Sequence, residues 1–538
     1  MRSRGIDDRD DFLREMEEEE RSKRQGMLVG ALAAVAALVT MIGVRAITGI
    51  VSLIDILADA LLLAMPISVF SGMLSLFGKQ AKTLLLIGLM AFIIVVGAWV
   101  GRMMAKGAPV KAGRGLLWAR TIAWAMGVFA VAAAFAALYA LGRMPDVAAG
   151  LGVVRVVACI LVAMVVFALV LGGVLSLLRA EDAQSVSAPA ATDPGSSPAS
   201  STMDRRRLLM RAGLGVATLG GLAVLGREVI RIANRTIVAG GRSGTMPSAI
   251  TPIDEFYLIS KNFVDPNPDR GDDWSIDIKG LVQHPITLTA RDLEPLAGPV
   301  FVSTLTCISN PIAGPLIGTA EWTGVPLATV LNMAGVMNGA LKLISEGEDG
   351  YQDSIPIERA LSAEPHIVWK MNGEPLPPKH GTPVRLIVPG LYGIKNVKWL
   401  TSMTVTADDF QGYWQQRGWT DTAIIKTSSR IDVPGDRAVV ATGQTEIGGI
   451  AFAGDRGISK VEVSTDDGAT WQTATISENP SPAGLSWVLW TMSWMAEVGT
   501  YTLVVRATDG DGVLQTSESA SELPDGASGW HHIAVGVA

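Results

Sequence analysis

The sequence predicts three structural classes in one chain: a multi-helix membrane domain, an α+β domain and an all-β sandwich. Three observations carry that expectation. Long apolar runs are confined to the N-terminal part, and they lift the hydrophobic share to 49% and mean hydropathy to +0.35, high for a water-soluble chain. Short β-patterned runs alternate with turns between residues 250 and 425. Beyond residue 426 apolar and polar residues alternate strictly, with Asp-Gly turns between runs. At 538 residues the chain is too long for one domain, and a net charge of −7 gives no footprint for nucleic acid.

Residues 1–26 are expected to form a solvated cytoplasmic tail: Asp7 to Asp11 and Glu15 to Glu20 are largely acidic, and Arg21, Lys23 and Arg24 precede the first apolar run. Residues 27–182 are expected to hold the membrane helices. Apolar runs at 27–44, 83–101, 117–141 and 153–178 are each near the ~20 residues that cross a ~30 Å hydrocarbon layer. The intervening stretch 46–78 is apolar too, but carries Pro66 and the pair Asp55 and Asp59, one helical turn apart. Those acids either face water from an interfacial helix, the reading we favour, or form an intramembrane acidic pair. The basic loop 102–114, with Arg102, Lys106, Lys111 and Arg114, reads as cytoplasmic. With the N-terminus also inside, 46–78 must lie in the interface, re-enter or cross twice.

Residues 183–203, rich in Ala, Ser, Pro and Thr, read as a flexible linker. The stretch 204–230 follows. There Arg205-Arg206 precede a Gly-rich, weakly apolar run. Alone this is a positive flank; in this setting it resembles a twin-arginine export signal kept as an uncleaved last span. Such a route carries folded domains, so everything after about residue 230 would lie outside the cell membrane.

In the α+β region, 245–425, Trp274–Gly280 and Pro285–Thr289 read as strands and Arg291-Asp-Leu as a short helix. Arg385-Leu-Ile-Val reads as a strand ending at Pro389-Gly390, and Val397–Leu400 begins another. The run Phe301–Gly318 delivers Cys307 from a strand into a loop of Ser, Asn, Pro and Gly. The chain's second cysteine, Cys159, lies in an apolar run, so no disulfide framework is expected. Cys307 by itself is either a small buried core residue or a binding thiol. In 426–538 the strands Ile458–Ser464, Trp487–Thr491 and Tyr501–Arg506, with turns at Asp466-Asp-Gly and Asp509-Gly-Asp-Gly, suggest an immunoglobulin-like sandwich.

An ordered set of motifs over residues 250–520 resembles the sulfite-oxidase family of molybdenum-molybdopterin oxidoreductases. The set is Asp273-Trp-Ser-Ile-Asp-Ile-Lys-Gly, Thr306-Cys-Ile-Ser-Asn, Glu346-Gly-Glu-Asp-Gly-Tyr, Asn372-Gly-Glu-Pro-Leu-Pro, His380-Gly-Thr-Pro-Val-Arg, Val388-Pro-Gly and Lys398-Trp-Leu. The resemblance implies an α+β sulfite-oxidase-like molybdopterin domain over 245–425 and an immunoglobulin-like dimerisation domain over 426–538. It gives Cys307 as the molybdenum ligand and catalytic residue, consistent with a soft sulfur donor. It implies His380, Arg385 and Lys398 as pterin and phosphate contacts, with Arg385 forking onto phosphate and Lys398 a point charge. Backbone groups of Asn396 and Val397, the acid Asp349 and the strand holding Tyr257, Ser260 and Lys261 complete the implied cofactor set. The N-terminal part is similar to the membrane extension of some bacterial members, which implies a multi-pass protein of the bacterial cytoplasmic membrane with its catalytic domain outside.

Departures from the family pattern bear on substrate. Ile259 and Pro311 stand where anion-gripping arginines would fall, and Trp419 stands where a tyrosine would fall. A dianion needs those charges, so a neutral or weakly charged small molecule of sulfoxide or N-oxide type is expected. Sulfite oxidation is the enzymatic alternative, and an envelope interaction module without activity is the other. No histidine precedes His284 and no haem or iron–sulfur motif appears. A separate electron-transfer partner or a quinone is therefore expected, together with a homodimer through the C-terminal domain.

Overall fold

The computed structural model describes residues 4–48, 53–65, 69, 81–106, 121, 123–128, 130–135, 152–186, 244–262, 265–266 and 273–538. Two compact units separate, one holding the N-terminal helices and the other residues 236–538. The stretch 204–230 and linker residues 187–203 lie outside the described residues, as do 107–120 and 136–151.

The first unit is helical: α1 Arg4–Thr48, α2 Leu53–Ala64, α3 Ala81–Lys106 and α4 Gly152–Val186. Segments Glu19–Val44, Leu84–Ala105 and Val156–Leu175 are long and apolar enough to cross a membrane. In the expected run 117–141, the described residues 123–128 and 130–135 are helical. The charged tail is solvated as expected but is helical, being the start of α1: Lys23 bridges Glu19 at 2.8 Å and Glu20 at 2.7 Å, charges one turn apart that support a helix whose acids stay exposed. α4 likewise runs to Val186, into the expected linker. Asp55 departs further. It is 0% exposed, between Ile54 and Ile56 of a buried cluster, so the reading of an acid facing water does not hold for it.

In the second unit, strands β1 to β10 are Ser275–Gly280, Ile286–Thr289, Phe301–Thr306, Ile317–Pro326, Lys342–Gly347, Gln352–Pro356, His366–Met371, Glu374–Pro375, Arg385–Ile387 and Leu400–Thr406. One sheet runs β2-β1-β10-β5-β6, with β1 and β10 parallel. The other runs β3-β4-β7-β8, with β9 added on β7. A helix, α5 (Leu327–Ala334), packs Leu327, Val330 and Leu331 into the core with Ile276, Ile278, Leu343 and Met403. This is the expected α+β domain.

The sandwich follows as β11 to β19: Ser428–Val433, Val439–Val440, Gly443–Phe452, Ile458–Ser464, Gln472–Thr473, Thr475–Ile476, Val488–Ala496, Gly499–Asp509 and His531–Val537. Its sheets are β11-β13-β17-β16 and β12-β19-β18-β14-β15. Alternation along β17 buries Val488, Trp490, Met492 and Trp494 against Val461, Val463, Leu503 and Val505 of the facing sheet. The sandwich also grips the strand that carries Cys307. Thr304 N–H donates to Leu485 O at 3.0 Å, Trp487 N–H to Thr304 Oγ1 at 2.8 Å, and Arg430 Nη1 to Gly314 O at 3.0 Å.

Candidate active site

β3 ends in the buried run Ser303–Thr306 and presents Cys307 at its C-terminal edge. The loop that follows closes on itself. Cys307 N–H donates to Leu316 O at 2.9 Å, Asn310 N–H to Cys307 O at 3.0 Å, and Leu316 N–H to Asn310 Oδ1 at 2.9 Å. Gly314 is required there, since a Cβ would meet Asn310 Oδ1 at 2.4 Å and Pro311 Cδ at 2.7 Å. The thiol is thus held by backbone on both sides. Cys307 is 6% exposed and its Sγ lies 3.0 Å from Ser309 Oγ. Burial pushes the thiol pKa up and the Ser309 contact pulls the other way. A bound metal would take the thiolate form.

The thiol opens onto a cleft with about 750 Å³ of empty space, counted out to its open mouth. Tyr257, Ile259, Ser260, Lys261, Cys307, Asp349, His380, Arg385, Asn396 and Lys398 all line it. Residues from five separate stretches therefore converge. Gly393 lets the opposite wall approach, because a Cβ there would lie 3.0 Å from Tyr257 Oη.

Arg385 decides what the cleft can hold. It is 5% exposed. Its Nη1 donates to His380 O at 2.9 Å and its Nη2 to Asn396 O at 3.3 Å, while buried Nε has no partner. Among the described residues no carboxylate pairs with it, and burial lowers its pKa to about 10. A buried guanidinium held by two carbonyls, with an unfilled N–H, calls for an anion from outside the chain. His380 is a different element: burial first, then Arg385 and Lys398, lower it to about 3, so it is a neutral imidazole at physiological pH. It stands edge-on to Phe256 at 5.5 Å. Lys398 Nζ donates to Ile259 O and Lys379 O, each at 3.2 Å, and lies 4.2 Å over the Trp399 ring.

Other expected residues are placed differently. Asp349 lines the cleft, but its carboxylate is committed to the protein: it accepts from Asn262 Nδ2 at 2.8 Å and Tyr351 N–H at 3.0 Å, with Lys261 Nζ at 3.4 Å. Lys261 in turn donates to Asn262 Oδ1 at 2.6 Å and Asp349 O at 2.9 Å. Asn396 turns its amide inward, where Oδ1 accepts from Val388 N–H at 2.7 Å, leaving its carbonyl for Arg385. Val397 does not line the cleft: its side chain is in the core and its carbonyl accepts from Leu386 N–H at 2.8 Å. Pro311 is outside the cleft as well, on a second cavity behind the Cys307 loop. Trp419 is 5% exposed and fills an apolar cluster with Ile308, Tyr392 and Phe452. Of the three expected substrate-pocket residues only Ile259 faces the thiol's cleft, because the loop at Pro311 turns away and the indole of Trp419 is drawn into the core.

The cleft also holds residues not singled out from sequence as site residues, among them Tyr351, Lys379, Ile394, Trp399 and Trp414. Tyr351 closes the quoted Glu346–Tyr351 motif and Trp399 lies in Lys398-Trp-Leu, so both carried a signal. Lys379 and Trp414 carried none.

Comparison with known proteins agrees with this architecture. The family described as oxidoreductase molybdopterin binding domain matches residues 264–414, and the Mo-co oxidoreductase dimerisation domain matches 419–537. Fold and site together define a molybdopterin-dependent oxidoreductase with a C-terminal dimerisation module. The chain belongs to the sulfite-oxidase family. It is 30% identical to sulfite oxidase of Arabidopsis thaliana over 306 residues, 46% of this chain and 78% of that protein. It is 30% identical to inducible nitrate reductase [NADH] 2 of Glycine max over 325 residues, 48% of this chain and 36% of that protein. It resembles the solved sulfane dehydrogenase SoxCD of Paracoccus pantotrophus with a TM-score of 0.45 and 24% identity, covering 50% of this chain and 75% of that one. Of the mouse and chicken sulfite oxidases the chain spans 41% and 49%.

The family's cofactor, Mo-molybdopterin, fits the cleft. The orphaned Arg385 Nε meets the need of a phosphate, and the buried thiol of Cys307 suits a soft metal.

Proposed function

We propose that the chain is a membrane-anchored oxidoreductase that transfers an oxygen atom, in a two-electron reaction, to or from a small neutral or weakly charged substrate of sulfoxide or N-oxide type. One observation carries the substrate class: at the position of an expected anion-gripping arginine, the side chain facing the cleft is the apolar Ile259. Ile259 lines the cleft and Pro311 turns away, so neither position supplies a cation to grip a dianion. In this reading Cys307 ligates the metal, and Arg385 with Lys398 binds the cofactor's anionic tail. Neutral His380 donates or accepts a hydrogen bond at the pterin, and Asp349 orients Lys261 and Asn262. The bound cofactor supplies the two-electron chemistry; the protein orients it and restricts access.

A second reading, oxidation of sulfite, is favoured by the 30% identity to the Arabidopsis sulfite oxidase. Molybdenum-replete enzyme assayed against sulfoxides, N-oxides and sulfite separates the two. Turnover of a sulfoxide or N-oxide well above sulfite supports the first, and efficient sulfite turnover overturns it.

The placement in the cell belongs to the same proposal. Residues 27–182 anchor the chain, 183–203 link, 204–230 serve as a retained twin-arginine-like span, and 245–425 with 426–538 lie outside the cytoplasmic membrane as a homodimer. Electrons pass to or from a separate protein or a quinone. Protease protection of 245–538 in intact spheroplasts would count against this orientation.

A further inference from the structure

Two phenols line the cleft, Tyr257 and Tyr351, and the fold uses the hydroxyl of only one. The Tyr351 hydroxyl is spent inside the protein: its oxygen lies 2.6 Å from Ile394 O and 2.9 Å from Asp353 Oδ2. Asp353 in turn meets Lys395 Nζ at 2.8 Å, and Lys395 reaches Asp421 at 2.9 Å, so a line of polar contacts ties Tyr351 into the fold.

Tyr257 is the opposite case. It is 9% exposed, and its ring stacks on Phe256 with centroids 5.5 Å apart and planes inclined by 19°. Phe256 packs edge-on against both Trp322 at 6.2 Å and His380 at 5.5 Å, so the platform under the tyrosine ring is fixed. The bare face of Gly393 locates the hydroxyl. A Cβ there would lie 3.0 Å from Tyr257 Oη, 3.4 Å from Thr306 O and 3.9 Å from Cys307 Cα. One methyl-sized space therefore touches both the hydroxyl and the backbone that presents the thiol, and Gly393, Tyr257 and Cys307 all line the cleft. Among the described residues the hydroxyl makes no hydrogen bond. Nor is its oxygen one of the sealed polar atoms without a partner, as Arg385 Nε is, so it opens to the cleft. A phenol so enclosed has a donor to offer and no acceptor within the chain. Burial first and then Cys307 raise its pKa, against Arg385, so it keeps its hydrogen at neutral pH.

We propose that the Tyr257 hydroxyl donates a hydrogen bond to the oxygen atom of the bound sulfoxide or N-oxide and so turns that oxygen toward the side of the cleft where Cys307 lies. The oxygen of such a substrate is a strong acceptor without net charge. A neutral donor serves it, where a cation would favour an anion instead. Ile259 supplies an apolar stretch of the same cleft for the rest of the molecule. The hydroxyl keeps its hydrogen throughout, and no bond at Tyr257 forms or breaks.

This inference rests on the proposed substrate class, and its test is built on Tyr257→Phe, which keeps the ring and removes only the donor. In the cofactor-free full chain the variant should melt no lower than wild type, because the lost hydroxyl had no partner. A fall of several degrees would show a partner inside the protein and overturn the assignment. Molybdenum content of the loaded enzyme should be unchanged; a clear loss would make the hydroxyl a cofactor contact and also overturn it. Dimethyl sulfone, a neutral acceptor with the same type of oxygen, should bind the loaded wild type and bind the variant about tenfold more weakly by calorimetry, the effect of one hydrogen bond. Equal binding, or no binding to either, overturns the proposal. Turnover separates this from the parent reading. Wild type that binds the sulfone through Tyr257 but reduces or forms no sulfoxide or N-oxide would sink the oxygen-transfer reading and leave the hydroxyl's role supported. Wild type and variant that turn over a sulfoxide with equal kcat/KM would do the reverse.

Discussion

At the scale of single residues the cleft is a balance between burial and charge, and Arg385 shows it most plainly. Its guanidinium loses hydration and gains two carbonyls, so its ionisation is held in reserve for a ligand. Arg385→Met should change the stability of cofactor-free protein by no more than about 2 kcal/mol, since relief of a buried charge offsets two lost hydrogen bonds. Bound pterin, read by fluorescence after release, should fall at least tenfold. Cys307→Ser should fold normally yet lose the molybdenum signal in elemental analysis, because a hydroxyl is a poor ligand for a soft site. His380 predicts the pH dependence. Its folded pKa, about 3, lies below the ordinary 6.5. The unfolded chain therefore binds a proton that the folded chain refuses, and the contribution is present above pH 6.5 and lost as pH falls toward 3. The melting temperature of cofactor-free protein should drop across that window, and His380→Gln should flatten the slope. An equal slope in the variant would contradict the assignment.

At the scale of elements, two features depend on glycine for a steric reason. α1 and α3 cross where Gly26 and Gly30 meet Gly97 and Gly101; a Cβ on Gly101 would lie 2.0 Å from Gly26 O and 2.9 Å from Gly30 Cα. Backbones this close associate through packing in lipid, where no hydrophobic force acts between helices. Gly101→Leu should destabilise the detergent-solubilised chain by about 2 kcal/mol or more, measured by thermal aggregation. Gly43→Ala, with nothing within 4 Å, should leave it unchanged. The loop 307–316 is the second such element: Gly314 and the Asn310 amide close it, so the thiol's position is set by backbone hydrogen bonds rather than by its own packing.

At the scale of the whole molecule, the sandwich and the cofactor domain are joined at the strand that carries the thiol, through Thr304, Leu485 and Trp487. Residues 245–538 should therefore be produced as one piece, soluble without detergent, and should retain molybdenum. The full chain should stay in the membrane fraction after carbonate washing, and release by carbonate would argue against spanning helices. Light scattering of the 245–538 piece should give twice the chain mass if the dimerisation module pairs in this protein.

Periodicity alone determined the three structural classes, because a hydrocarbon layer, a two-sided core and a half-buried strand each impose a different repeat on the chain. The order of the motifs around Cys307, His380, Arg385 and Lys398 made the cleft's main residues legible. What the tertiary structure decided was the direction of side chains whose local sequence permits two. Pro311 and Trp419 stand at motif positions yet face away from the cleft, since a loop's turn and an apolar cluster set their orientation. Asp55 is buried where its local pattern allowed water, because the helix that carries it packs Leu53, Ile54 and Ile56 with residues distant in sequence. The line from Tyr351 through Asp353, Lys395 and Asp421 joins residues up to 70 positions apart. Its hydrogen bonds exist only once one strand and two loops distant in sequence have packed together, which no local pattern encodes.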